Sequence, residues 1–124
     1  MKNRHRTFLK LLFFAAAFSS IVASASAHAV LLESTPSLKS SVAGPTVPIK
    51  LRFNVRIDAR RSRLTLVGPA GSAQALEIGK ENPPDALVTH ATGLLPGEYR
   101  LRWQVLASDG HITRGEIPFT VTSH

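Results

Sequence analysis

Three stretches of the chain alternate apolar and polar side chains with a period of two. Ile49, Leu51 and Phe53 alternate with Lys50, Arg52 and Asn54; Tyr99, Leu101, Trp103 and Val105 with Arg100, Arg102 and Gln104; Ile117, Phe119 and Val121 with Glu116, Pro118 and Thr120. Successive side chains of an extended strand leave opposite faces, so each run predicts a strand with one buried and one wetter side. Leu64 and Leu66 predict a shorter strand, and weaker ones fall at Val30–Glu33, Gln74–Ile78 and Ala86–Thr92.

Turn-forming residues separate these segments. They are Thr35-Pro36, Gly44-Pro45, Gly68-Pro69-Ala70-Gly71, Asn82-Pro83-Pro84-Asp85, Pro96-Gly97 and Asp109-Gly110. No window carries the 3.6-residue period of a long amphipathic helix. Short strands punctuated in this way predict an all-β, immunoglobulin-like fold: a seven-stranded antiparallel Greek-key sandwich or barrel. Leu95-Pro96-Gly97-Glu98-Tyr99 has the form of a tyrosine corner, in which the Tyr hydroxyl ties back to upstream backbone.

The N-terminus follows another rule. Lys2, Arg4, Arg6 and Lys10 precede an apolar stretch from Leu11 to Val22, followed by Ala25-Ser26-Ala27. A basic head, an apolar run too short to span a bilayer and a small-x-small site predict a secretory signal peptide over residues 1–27. Cleavage after Ala27 leaves one domain, residues 28–124, in the periplasm with no membrane anchor.

This cleavage changes the charge picture. Four of the 15 Lys and Arg leave with the signal while all eight Asp and Glu stay, so the formal net charge falls from +7 to +3. The basic character belongs largely to the exported segment, and no nucleic-acid partner follows from it. Arg56, Arg60, Arg61 and Arg63 read as a solvated surface. There is no cysteine, which excludes thiolate metal sites and leaves the apolar core to hold the fold. The only methionine is Met1, so the exported chain carries no soft sulfur ligand.

Cleavage would also make His28 the N-terminal residue. Its α-amine, with a reference pKa of about 7.7–8.0, deprotonates far more readily than a lysine, and amine and imidazole can close a chelate ring on one ion. Cu(II) favours nitrogen and oxygen donors in a tetragonal plane. Ser108-Asp109-Gly110-His111 supplies a carboxylate and a second imidazole two residues apart, on one face of an extended chain. Asp-Gly between two alternating runs is equally a hairpin signal, in which Asp109 caps the turn. His90 and His124 read as surface residues, and Trp103 as core.

Together, His28-Ala29-x-Leu31, Ser34-x-Pro36, Leu51-x-Phe53, Leu95-x-Gly97-x-Tyr99-x-x-x-Trp103, Ser108-Asp109-Gly110-His111 and Gly115-x-x-x-Phe119-x-Val121 span nearly all of residues 28–124. This combination resembles the CopC family of periplasmic copper-binding proteins. The resemblance implies one Cu(II) per chain, held by the His28 amine and imidazole, the Asp109 carboxylate and the His111 imidazole. It implies a monomeric copper buffer or carrier, not an enzyme, with a role in copper resistance and an inner-membrane transporter of the CopD type as partner. Some members place a carboxylate near the copper just after the strand phenylalanine, where this chain has Asn54; others carry a methionine-rich Cu(I) site, which this chain lacks.

Two other classes compete. An N-terminal histidine chelate also serves copper oxidases that cleave polysaccharides, but those keep an open position that Asp109 would fill. A metal-free exported interaction module is the third reading, and it predicts no effect from replacing His28, Asp109 or His111.

Overall fold

A computed structural model describes residues 28–123. In chain order the strands are β1 (Leu31–Thr35), β2 (Ser41–Ala43), β3 (Val47–Phe53), β4 (Ile57–Val67), β5 (Ala73–Leu76), β6 (Ala86–Ala91), β7 (Gly97–Ala107) and β8 (Ile112–Thr122). There is no helix among the described residues. The signal-peptide reading and His124 lie outside them.

The alternation in the sequence reappears as burial. Along β3, Val47, Ile49, Leu51 and Phe53 are buried and Pro48 and Lys50 exposed; along β7 the buried set is Tyr99, Leu101, Trp103, Val105 and Ala107. Their inward faces make one core with Leu64, Leu66, Leu87, Ile117, Phe119 and Val121. Two ring contacts mark it: Phe53 meets Trp103 edge-on at 5.2 Å between centroids, and Tyr99 stacks on Phe119 at 5.8 Å.

The strands form two sheets, β1-β3-β6 and β2-β8-β7-β4-β5. The β4–β5 and β7–β8 hairpins stay within the larger sheet, whereas the links from β3 to β4, β5 to β6 and β6 to β7 cross between sheets, as a Greek key requires. The structure has eight strands where the sequence pattern predicts seven, and one pairing is parallel. The added strand, β2, is three residues long and runs parallel to β8, with Val42 beside Val121. Such a short segment between turns shows no alternation to read.

Strand β4 also exceeds its prediction. It runs for 11 residues because a bulge between Asp58 and Arg63 shifts its register on β7. The Ser62 hydroxyl donates to the Asp58 carbonyl and accepts from the Leu106 N–H, so the bulge leaves those groups satisfied. The Asp58 carboxylate accepts the backbone N–H groups of Arg60 and Arg61 and lies 3.8 Å from the Arg61 guanidinium. Arg60 and Arg61 thus sit on an exposed bulge, with Arg61 beside Asp58, and Arg56 and Arg63 are exposed on either side of it.

At one end of the sandwich the Tyr99 hydroxyl donates to the Leu95 carbonyl at 2.7 Å, closing the expected tyrosine corner. The β7–β8 hairpin turns over at the other end, through residues 108–111.

Candidate metal centre

Two elements build this second end. The first is the hairpin turn. The Ala107 N–H donates to the His111 carbonyl and the Gly110 N–H to the Ala107 carbonyl, with Gly110 at a φ of 90°. That backbone conformation is open to glycine without steric cost. The turn therefore requires Gly110, and Asp109 caps it: one carboxylate oxygen accepts the His111 N–H at 3.0 Å. The hairpin reading of Asp-Gly holds.

Capping does not exhaust Asp109. Its other oxygen lies 2.9 Å from His111 Nδ1. An ionised carboxylate only accepts, so the neutral ring carries its proton on Nδ1 and keeps the lone pair on Nε2. The His111 backbone N–H, then its ring, hold the Asp109 carboxyl below its ordinary range against the opposing cost of burial, with still weaker pulls from the charges of His111 and His28. Asp109 thereby fixes both the turn and the orientation of the ring beyond it.

The second element is the segment entering β1. His28 is exposed, but Ala29 is 3% exposed and belongs to the core. Beyond it the β1–β3 pairing is extended by one rung: the Asn54 N–H donates to the Val30 carbonyl at 3.0 Å, and the Val30 N–H donates to Asn54 Oδ1 at 2.7 Å. So the residue after His28 is buried and the next is held by its backbone on both sides.

These elements bring His28 and His111 together. Their ring centroids lie 5.2 Å apart, edge to face at 66°. Asp109 is adjacent but turned onto His111, so among the described residues no three His, Asp or Glu side chains form a preassembled metal cage. His90 stands apart from them, exposed on β6 opposite Pro48. Sequence reasoning left Asn54 a hydrogen bond or binding through its neutral oxygen, and did not foresee its hold on Val30, because one partner is backbone and leaves no mark in side-chain identity.

The structure is thus an eight-stranded Greek-key β-sandwich with two imidazoles and a carboxylate gathered at one exposed end. A family model, described as the CopC domain, matches residues 31–122. The chain belongs to this CopC family. It is 30% identical over 106 residues to protein YobA of Escherichia coli K12, covering 83% of this chain and 86% of that one. To copper resistance protein C of Escherichia coli it is 33% identical over 107 residues, covering 79% and 84%.

Solved structures agree. CopC from Methylosinus trichosporium OB3b superposes with a TM-score of 0.70 at 32% identity, covering 78% of this chain and 96% of that one. PcoC, a methionine-rich copper resistance protein from Escherichia coli, gives 0.61 at 28% identity, covering 77% and 100%.

Proposed function

We propose that this protein binds one Cu(II) ion in the periplasm and acts as a copper buffer or carrier. The observation that carries the reading is the 5.2 Å approach of the His28 and His111 rings. Once a signal peptide ending at Ala27 is removed, His28 would add its α-amine to its own imidazole, giving two linked nitrogen donors beside His111. Asp109 would complete a set of three nitrogens and one oxygen, which suits Cu(II) better than Mg(II) or Ca(II). The copper resistance proteins among its relatives support the choice of ion.

In the metal-free arrangement Asp109 presents His111 with Nε2 as its available lone pair, and the ion would then compete for the Asp109 oxygen that rests on Nδ1. Copper is cargo in this reading. Donors gathered at an exposed edge fit holding and releasing an ion, with an inner-membrane transporter of the CopD type as the recipient.

The test is Cu(II) titration with electron paramagnetic resonance, on protein recovered after export and on a version with one residue added before His28. A one-to-one tetragonal signal with mainly nitrogen ligands, weakened by the extension, is expected. Absence of stoichiometric binding, or binding indifferent to the extension, overturns the reading.

A further inference from the structure

We propose that Asn54 is a positioning residue for the metal site: it acts on His28 through Val30 and not on the ion. The inference rests on the Cu(II) reading for its functional meaning, but its structural core does not depend on any metal.

Three observations carry it. First, the amide orientation is fixed by chemistry. The Val30 N–H is a donor, so the Asn54 atom facing it at 2.7 Å must be the oxygen. The remaining nitrogen, Nδ2, only donates, so any ligation would fall to the same oxygen that already accepts the Val30 N–H. Second, the contact is half of a closed ring, because the Asn54 backbone N–H donates to the Val30 carbonyl at 3.0 Å. One residue thus satisfies both backbone groups of Val30, beyond Leu31↔Phe53, the end of the regular register.

Third, the clamp sits where the arm would otherwise fray. Asn54 and Val30 are both exposed, and β1 lies at the edge of a three-stranded sheet. Between the clamp and His28 there is only Ala29, whose side chain is in the core. Holding Val30 therefore limits the backbone directions from which His28 can reach His111. A carboxylate at position 54 would accept the same N–H but add a charge; the neutral amide keeps the clamp without adding an anionic donor.

The experiment compares the exported protein with Asn54→Ala and Asn54→Asp, first without metal. Amide hydrogen exchange at Val30 is expected to quicken about tenfold in N54A, the scale of one net hydrogen bond. It should stay near the original rate in N54D, which keeps an acceptor. Proton contacts between the His28 and His111 rings should weaken in N54A and persist in N54D. With Cu(II) bound, N54A should release the ion roughly three- to tenfold faster, on the same hydrogen-bond scale, while its paramagnetic resonance parameters stay unchanged.

Unchanged Val30 exchange in N54A overturns the clamp, whatever copper does. Altered resonance parameters in N54A overturn the positioning role, since they mark Asn54 as a ligand. If the unmutated protein binds no Cu(II), the metal-free exchange and ring contacts still decide the clamp alone.

Discussion

His28 and His111 meet edge to face at 5.2 Å although they lie far apart in the chain, one ahead of the first strand and one in the last hairpin. Each is placed by a separate device, the Ala29–Val30 anchorage on one side and the Asp109 cap on the other. On the proposed Cu(II) reading, replacing His28 by Ala would remove an imidazole and the chelate ring it would close with the amine. Cu(II) affinity should fall roughly 10²–10⁴-fold, the range in which linking two donors raises avidity. A competition titration against a chelator of known affinity measures it, and a loss below tenfold counts against the N-terminal chelate.

Acid should expose the role of Asp109 in the metal-free protein. Its carboxyl is held low in the folded chain, chiefly by the His111 backbone N–H. Glu33 is held low by its hydrogen bond and charge pairing with Arg52 at 2.9 Å. A group with a depressed folded pKa contributes stability above its unfolded value, about 3.9 for Asp and 4.3 for Glu, and loses it as pH falls through the folded value. Thermal unfolding should therefore show Asp109→Asn and Glu33→Gln less stable than the unmutated protein at pH 6, with each gap closing as pH falls below the ordinary carboxylate range. Gaps that persist unchanged into acid would show that something other than ionisation is lost.

Gly115 lies directly across from Trp103 on the β7–β8 hairpin, and the indole occupies the space its side chain would take. A Cβ at position 115 would fall 2.3 Å from a ring carbon. Gly115→Ala should destabilise the fold by about 1–3 kcal/mol, the usual cost of overpacking. Trp103→Phe in the same chain should recover part of that loss. Denaturant midpoints give both values, and additive losses in the double variant would contradict the clash.

The tyrosine corner offers a control at the far end. Tyr99→Phe removes the donor to the Leu95 carbonyl and should cost about 0.5–1.5 kcal/mol. The melting temperature should drop by about 4–8 °C per kcal/mol for a domain of this size. Tyr99 stands eight residues before Ala107 along β7, roughly 26 Å at strand rise, so Cu(II) affinity should not change.

The strands legible in the sequence were those whose two faces meet different environments. β3, β7 and the later part of β8 alternate cleanly because one side packs on the core and the other meets water. β4 reads as short because its bulge inserts residues that break the alternation between Asp58 and Arg63. β2 is hidden for another reason: its parallel pairing to β8 is a backbone relation among Ser41, Val42 and Ala43 that no side-chain pattern announces. At the site, residue chemistry made His28, Asp109 and His111 candidates, and the resemblance to the CopC family joined them into one set. Asp109 reads in the sequence as a metal ligand or as a turn cap; the structure shows the cap, and adds a contact to the His111 ring that the sequence did not announce. The hold of Asn54 on Val30 was illegible because it depends on register at a strand end.

The connectivity also sets when the two rings can meet. The segment bearing His28 pairs with β3, a partner close behind it in the chain, whereas His111 arrives only with the final hairpin. Contacts between distant parts of a chain form late, after the entropy of closing the intervening loop has been met. A growing polypeptide that has not yet reached residue 111 has His28 without its partner ring. The pair thus serves as a marker of completion: any ion that needs both rings can be captured only by a molecule whose last strand is in place.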